Sequence, residues 1–109
     1  MIIKCWNNGK HHIDGNGYGI KISVSDRDQY FDRDWKTIIL ALDGIFPKIE
    51  INIDKDSFWN KSCRELISVE IGKWLIKNKL APWPEGNPPQ LDLQKIGERE
   101  FLLKDPNQK

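Results

Sequence analysis

The sequence predicts an α+β protein whose mostly antiparallel strands curl into a partly closed β-barrel, with one long amphipathic helix and one short helix. Three observations carry this expectation. Period-2 alternation recurs along the chain, turn-forming residues favour hairpins between the alternating segments, and one stretch places apolar residues at spacings of three and four. Strands that neighbour one another through hairpins, with one helix covering an opening, close into a partial barrel.

Ile2, Cys5 and Trp6 begin a short strand. Residues 7–17 hold six Gly or Asn in eleven positions, a density that predicts a loop. Tyr18, Ile20 and Ile22 alternate with Gly19 and Lys21 as in a half-buried strand, and Gly19 marks a bulge or a close backbone approach. Ser25, followed by Asp26 and Asp28, is placed to N-cap a short helix running through Phe31, with Tyr30 and Phe31 turned to the core. Trp35 to Leu42 reads as a β-branched strand and Asp43-Gly44 as a turn. Pro47 to Ile53 then returns with Ile49, Ile51 and Ile53 inward, completing a hairpin.

Cys63, Leu66, Ile67, Ile71, Trp74 and Leu75 form one apolar stripe, so the long helix is expected to start near Ser57 or Ser62. Lys73, Lys77 and Lys79 suit its C-terminal end, and Asn78 suits a left-handed C-cap. Residues 81–89 hold four of the six prolines, which excludes a helix or a central strand and predicts a stiff loop with Trp83 docked. Leu91 and Leu93, the Gly97 turn and Phe101-Leu102-Leu103 make a second hairpin. Residues 1–103 are expected to form one globular domain, with 104–109 as a flexible tail.

A chain of 109 residues lies within the single-domain range. Five Trp, four Phe and two Tyr among 39% hydrophobic residues exclude a disordered chain. The longest apolar run, Ile38 to Leu42, falls far short of the roughly 18 to 20 residues of a membrane span. Met1 to Trp6 lacks the pattern of a secretory signal, so no membrane partner and a cytoplasmic location are expected. The formal net charge of +1 removes any whole-chain attraction to nucleic acid or anionic lipid. Local attraction is another matter, because Lys4, Lys10 and Lys21 face only Asp14 within residues 1–24. Cys5 and Cys63 are expected to be free thiols, and their spacing does not make a zinc site. No cofactor is implied.

The segment Trp6-Asn7-Asn8-Gly9-Lys10-His11-His12 is the most informative stretch for function. It sets an aromatic face, two amides, a cation and two imidazoles beside a strand, groups that stack on bases and bond to base edges or phosphates. The leading expectation is therefore non-catalytic nucleic-acid binding, DNA favoured. Lys10, Lys21, Lys55 and Lys61 would contact phosphates, Asn7, Asn8, His11 and His12 base edges or sugars, and Trp6 would stack or buttress. The bland alternative is a solvated loop whose Trp6 packs inward. A different class of function is a protein-interaction module of accessory or immunity type, anchored by Trp59, Trp83, Pro88 and Pro89. A small hydrolase or nuclease comes third, through Cys5 with His11 or His12, or through Asp26, Asp28, Asp32 and Asp34. Alternating charges of that kind ordinarily pair in solvent. Gly15-Asn16-Gly17-Tyr18-Gly19 is followed by a strand where a phosphate-binding glycine loop would lead into a helix.

The succession of Gly19-Ile20-Lys21-Ile22-Ser23, Asp26 to Phe31, the hairpin Thr37 to Ile53, Ile71 to Leu75, Asn78-Lys79-Leu80 and Glu100 to Leu103 resembles the B3-like DNA-binding pseudobarrel. That fold occurs in plant transcription factors and in the recognition domains of some bacterial restriction enzymes, and a small bacterial family of stand-alone domains would fit the same plan. The resemblance covers about four fifths of the chain and is one of plan, with loose motifs. It implies two loops gripping the DNA major groove, near Lys10-His11-His12 and between Ile53 and Cys63. The near-neutral charge and the proline-rich loop around Trp83 depart from that family's pattern.

Overall fold

The computed structural model describes residues 1–44 and 47–106. The strands are β1 (Ile2–Asn7), β2 (Tyr18–Lys21), β3 (Thr37–Leu42), β4 (Ile49–Asn52), β5 (Glu65–Ile67), β6 (Gln90–Lys95) and β7 (Glu100–Leu103). The helices are α1 (Val24–Tyr30), α2 (Asp56–Trp59) and α3 (Val69–Lys77). The seven strands form one sheet in the order β4-β3-β7-β6-β1-β2-β5, and its two ends approach each other at β4 and β5, making a nearly closed, barrel-like wall. The sheet is mixed. Its hairpin neighbours run antiparallel, but β3 and β7 pair in parallel, Ile39 opposite Glu100 and Leu42 opposite Leu103. That pairing joins segments nearly sixty residues apart, and no local pattern announces it.

Alternation places the core. Ile3 and Cys5 of β1, Tyr18 and Ile20 of β2, Ile38, Leu40 and Leu42 of β3, and Phe101 and Leu103 of β7 point inward. They meet Ile71, Trp74 and Leu75 of α3. Phe31 stacks on Phe101 with ring centroids 4.5 Å apart.

The helical expectations need correction. The N-cap of α1 is Ser23, whose Oγ accepts from the Asp26 N–H, because Val24 and Ser25 already lie inside the helix. The long helix is shorter than its stripe suggests. Leu66 and Ile67 belong to β5, a strand paired with β2, and α3 starts only after Ser68, whose Oγ accepts from the Glu70 N–H. An apolar stripe cannot separate these cases when a short strand runs straight into a helix on the same core. Asn78 is the C-cap, but with φ −88° and ψ 10°, and the left-handed residue is the next one, Lys79, at φ 61°. The short helix α2 was not foreseen. Beyond β7, the Lys104 N–H donates to Asp92 O, the Asp105 N–H donates to Asp43 Oδ2, and Asp105 is buried. Residues 107–109 of the expected tail lie outside the described residues.

Arg27 is buried although it stands in a run of alternating charges. Its Nη1 donates to Phe58 O (3.1 Å) and Asn60 O (2.6 Å), its Nη2 to Asp28 Oδ1 (2.9 Å), and its guanidinium lies over the Trp59 ring. A planar fork of donors thus ties α1 to the end of α2. Where α3 meets the loop 8–17, two glycines allow backbone contact. A Cβ at Gly72 would stand 2.1 Å from Gly15 O, and one at Gly15 2.7 Å from Val69 O. Gly72→Ala is therefore expected to cost about 2 kcal/mol or more, since backbone must move. Gly86→Ala meets open space and should cost only the roughly 1 kcal/mol of its positive φ. Urea denaturation midpoints of the two variants check the difference.

Candidate functional site

The β1–β2 hairpin carries most of the residues marked out in the sequence, and its pleat divides them. Pairing sets Lys4 opposite Lys21, Trp6 opposite Gly19 and Asn7 opposite Tyr18. Since Cys5, Tyr18 and Ile20 point inward, Lys4, Trp6 and Lys21 lie on the outer face and Asn7 on the inner one. Trp6 and the Asn7–His11 group therefore do not form one patch.

On the inner side, the loop after β1 is tied down. His11 Nδ1 and Tyr18 Oη share a hydrogen bond of 2.6 Å, and Asn7 Nδ2 lies 2.9 Å from His11 Nε2. The His11 ring meets Trp83 edge-on at 4.9 Å, and Trp83 also meets Tyr18 at 5.6 Å. Trp83 is thus docked over the hairpin end, and burial pushes the Tyr18 phenol above its ordinary range. The amide oxygens of Asn7 and Asn8 accept from the Gly9 and Lys10 N–H groups, so both are spent on turns. Asp14 is exposed, and the Asn16 backbone and side-chain N–H groups hold its carboxyl below the usual range. Lys10, His12 and Ile13 are left exposed, Ile13 by 96%.

On the outer side, a cleft of about 440 Å³ is lined by Ile2, Lys4, Lys21, Ile22, Ser23 and Arg64, with no carboxylate in that lining. Three observations show how it is built. Arg64 adopts a left-handed backbone (φ 65°), and its Nε donates 2.7 Å to Ile22 O while its Nη1 donates to Lys61 O. Lys21 Nζ donates 3.0 Å to Ser62 O. The Lys4 side chain is exposed, and among the described residues it has no ion-pair partner. Lys21, marked in the sequence, thus comes together with Lys4 and Arg64, while Lys61, also marked there, reaches the group through its main-chain carbonyl, which accepts from Arg64. Lys4 was noted only as part of a basic segment, and Arg64 was missed. Its signal is tertiary, because only the fold brings residue 64 beside Ile22.

Glu65 stands opposite Lys21 in the β2–β5 register. Its Oε2 is buried and has no hydrogen-bond partner among the described residues, a costly state for a carboxylate oxygen. Lys55 lies elsewhere, in a small hollow with Arg33, Asp54, Asp56 and Trp59. Trp59 is half-buried, donates its indole N–H to Ile53 O, and carries Arg33 over its ring. Pro88 and Pro89 are half-buried, and Pro89 O accepts from the Cys5 N–H. Trp59 and Trp83 therefore occupy different surroundings and share no contact among the described residues.

Among the described residues no group of three or more His, Cys, Asp or Glu is placed to hold a metal, and no helix is long and apolar enough to cross a membrane. Arg27 takes Asp28, and Asp32 accepts from the Asp34 N–H. The chain matches no protein-family model, no curated protein and no solved structure.

Cys5 is buried, and burial pushes its thiol up to about 12, the reverse of what a nucleophilic thiolate requires. Thiol alkylation near pH 8 is expected to label the half-buried Cys63 and leave Cys5 unmodified until the chain unfolds, as peptide mass spectrometry would show. The folded state holds the Cys5 proton longer than the unfolded chain, so its contribution to stability is complete below about pH 9 and is lost as pH rises toward about 12. Denaturation midpoints measured across that range should fall, and Cys5→Ala should weaken the fall.

Proposed function

We propose that the protein binds nucleic acid without catalysis, through the outer face of β1, β2 and β5. The observation that carries this reading is the carboxylate-free cleft where Lys4, Lys21 and Arg64 converge, with Trp6 two residues farther along the same face of β1. Convergent cations neutralise phosphates, and an adjacent aromatic offers a surface on which a base can stack. The hairpin then leads to the loop that exposes Lys10 and His12. Three residue steps separate Lys4 from Asn7, about 10 Å of strand, so Lys10 and His12 lie beyond the far end of the hairpin from the cleft.

DNA is the favoured ligand, in keeping with the B3-like plan and with a cytoplasmic location. In this reading Lys61 adds to the phosphate field beside Arg64. Lys55 contributes least, because Asp54 and Asp56 share its hollow. The amides of Asn7 and Asn8 support the loop more than they read bases.

A protein-interaction role is the second reading. It is favoured by Ile13, an isoleucine almost fully exposed on the loop, where it lines a small hollow with His11, His12, Tyr18, Ile76 and Pro82.

Fluorescence anisotropy of labelled duplex DNA, single-stranded DNA and RNA at about 50 and 200 mM salt tests the proposal. Binding should weaken steeply with salt. Lys4→Gln and Lys21→Gln should each lower affinity at the lower salt and reduce the logarithmic salt slope by about 0.7 to 0.9. Absence of binding at 50 mM, or affinity indifferent to salt, would overturn it.

A further inference from the structure

We infer that the Lys4–Lys21–Arg64 cleft holds a phosphate monoester carried by a nucleoside, either the phosphorylated end of a strand or a free nucleotide. The inference rests on the nucleic-acid reading for its ligand class and adds to it which phosphate is recognised. Charge is the first argument. A backbone diester carries one negative charge, whereas a monoester carries about 1.5 to 2 at pH 7. Three cations in one lining exceed what a diester needs even with Glu65 set against them.

Shape is the second argument. A cleft of about 440 Å³ falls in the range of small-ligand sites, and its size suits one nucleotide better than a stretch of duplex. Its walls are divided by chemistry. Ile2, which is exposed, supplies apolar surface, and Ser23 supplies a hydroxyl whose oxygen accepts from the Asp26 N–H and lies 3.4 Å from the Ser25 hydroxyl. Arg64 is held by the carbonyls of Ile22 and Lys61, so its remaining N–H groups are oriented before any ligand arrives.

The position of Trp6 favours a nucleoside over a phosphorylated peptide. Trp6 stands two residues from Lys4 on the same face, about 7 Å along the strand, a span that a sugar bridges between a phosphate and a stacked base.

The test uses the full chain and short labelled single-stranded DNA of one sequence ending in a 5′-phosphate, a 3′-phosphate or hydroxyls only. Adenosine monophosphate, inorganic phosphate and a phosphoserine peptide are titrated separately by calorimetry. The variant is Lys4→Gln, chosen because this exposed side chain has no hydrogen-bond or ion-pair partner among the described residues. Thermal unfolding verifies that it folds.

A phosphorylated end that binds about tenfold or more tighter than the hydroxyl end, with the advantage lost in Lys4→Gln, supports the inference and identifies a strand end. Adenosine monophosphate binding that Lys4→Gln weakens, with no DNA bound, also supports it, identifies a free nucleotide, and overturns the nucleic-acid reading. Equal binding of all three DNA ends overturns the inference while leaving that reading intact. Inorganic phosphate or the phosphoserine peptide binding as tightly as the nucleotide overturns the nucleoside assignment. No binding by any probe overturns both.

Discussion

The parallel pairing of β3 with β7 is the contact on which the rest of the structure depends. Without it the chain would be two separate strand groups, the β3–β4 hairpin and the set formed by β6, β7, β1, β2 and β5. Hydrogen bonds along this one junction make them a single wall. Because Leu40 lies opposite Phe101 and Leu42 opposite Leu103, the pairing also aligns the inward rows of both groups on the same core. It closes a long loop and has no local turn to guide it, so its stability comes from the apolar surface it buries.

With that wall in place, the β1–β2 hairpin occupies the opposite part of the sheet and α3 can cover its inner face. The backbone approach of Gly15 to Gly72 then fixes the loop 8–17 against α3. This explains why a segment so rich in Asn and Gly is ordered. Its amides close turns, His11 is gripped between Tyr18 and Trp83, and the proline-rich loop supplies the aromatic that closes the group. The same pleat that buries Cys5 sends Trp6 and Lys4 outward, so one strand serves the core and the candidate site with alternate residues.

Charge is distributed by the same logic. Arg27 goes inward because three acceptors await it, two carbonyls at the end of α2 and the Asp28 carboxylate. Lys4, Lys21 and Arg64 gather outside, where Arg64 and Lys21 are oriented by main-chain carbonyls. A chain with a net charge of only +1 thus concentrates positive charge at one place, which composition alone conceals.

The sequence by itself determined what is written in local periodicity and turn chemistry. The strands around Ile20, Leu40, Ile51, Leu93 and Phe101 follow from alternation, the loop 7–17 from Gly and Asn, and the lack of helix or strand in residues 81–89 from proline. It also singled out Trp6, Lys21, Lys61, Trp83 and the histidines, because their chemistry is visible at any position. Only the tertiary structure decided the β5–α3 boundary, since Leu66 and Ile71 bury equally well as strand and as helix. It alone decided the parallel β3–β7 junction, the inward place of Arg27 and the union of Lys4, Lys21 and Arg64. Each of these depends on which distant backbone groups come within a few ångströms of one another, and long-range pairing is set by the packing of the whole core.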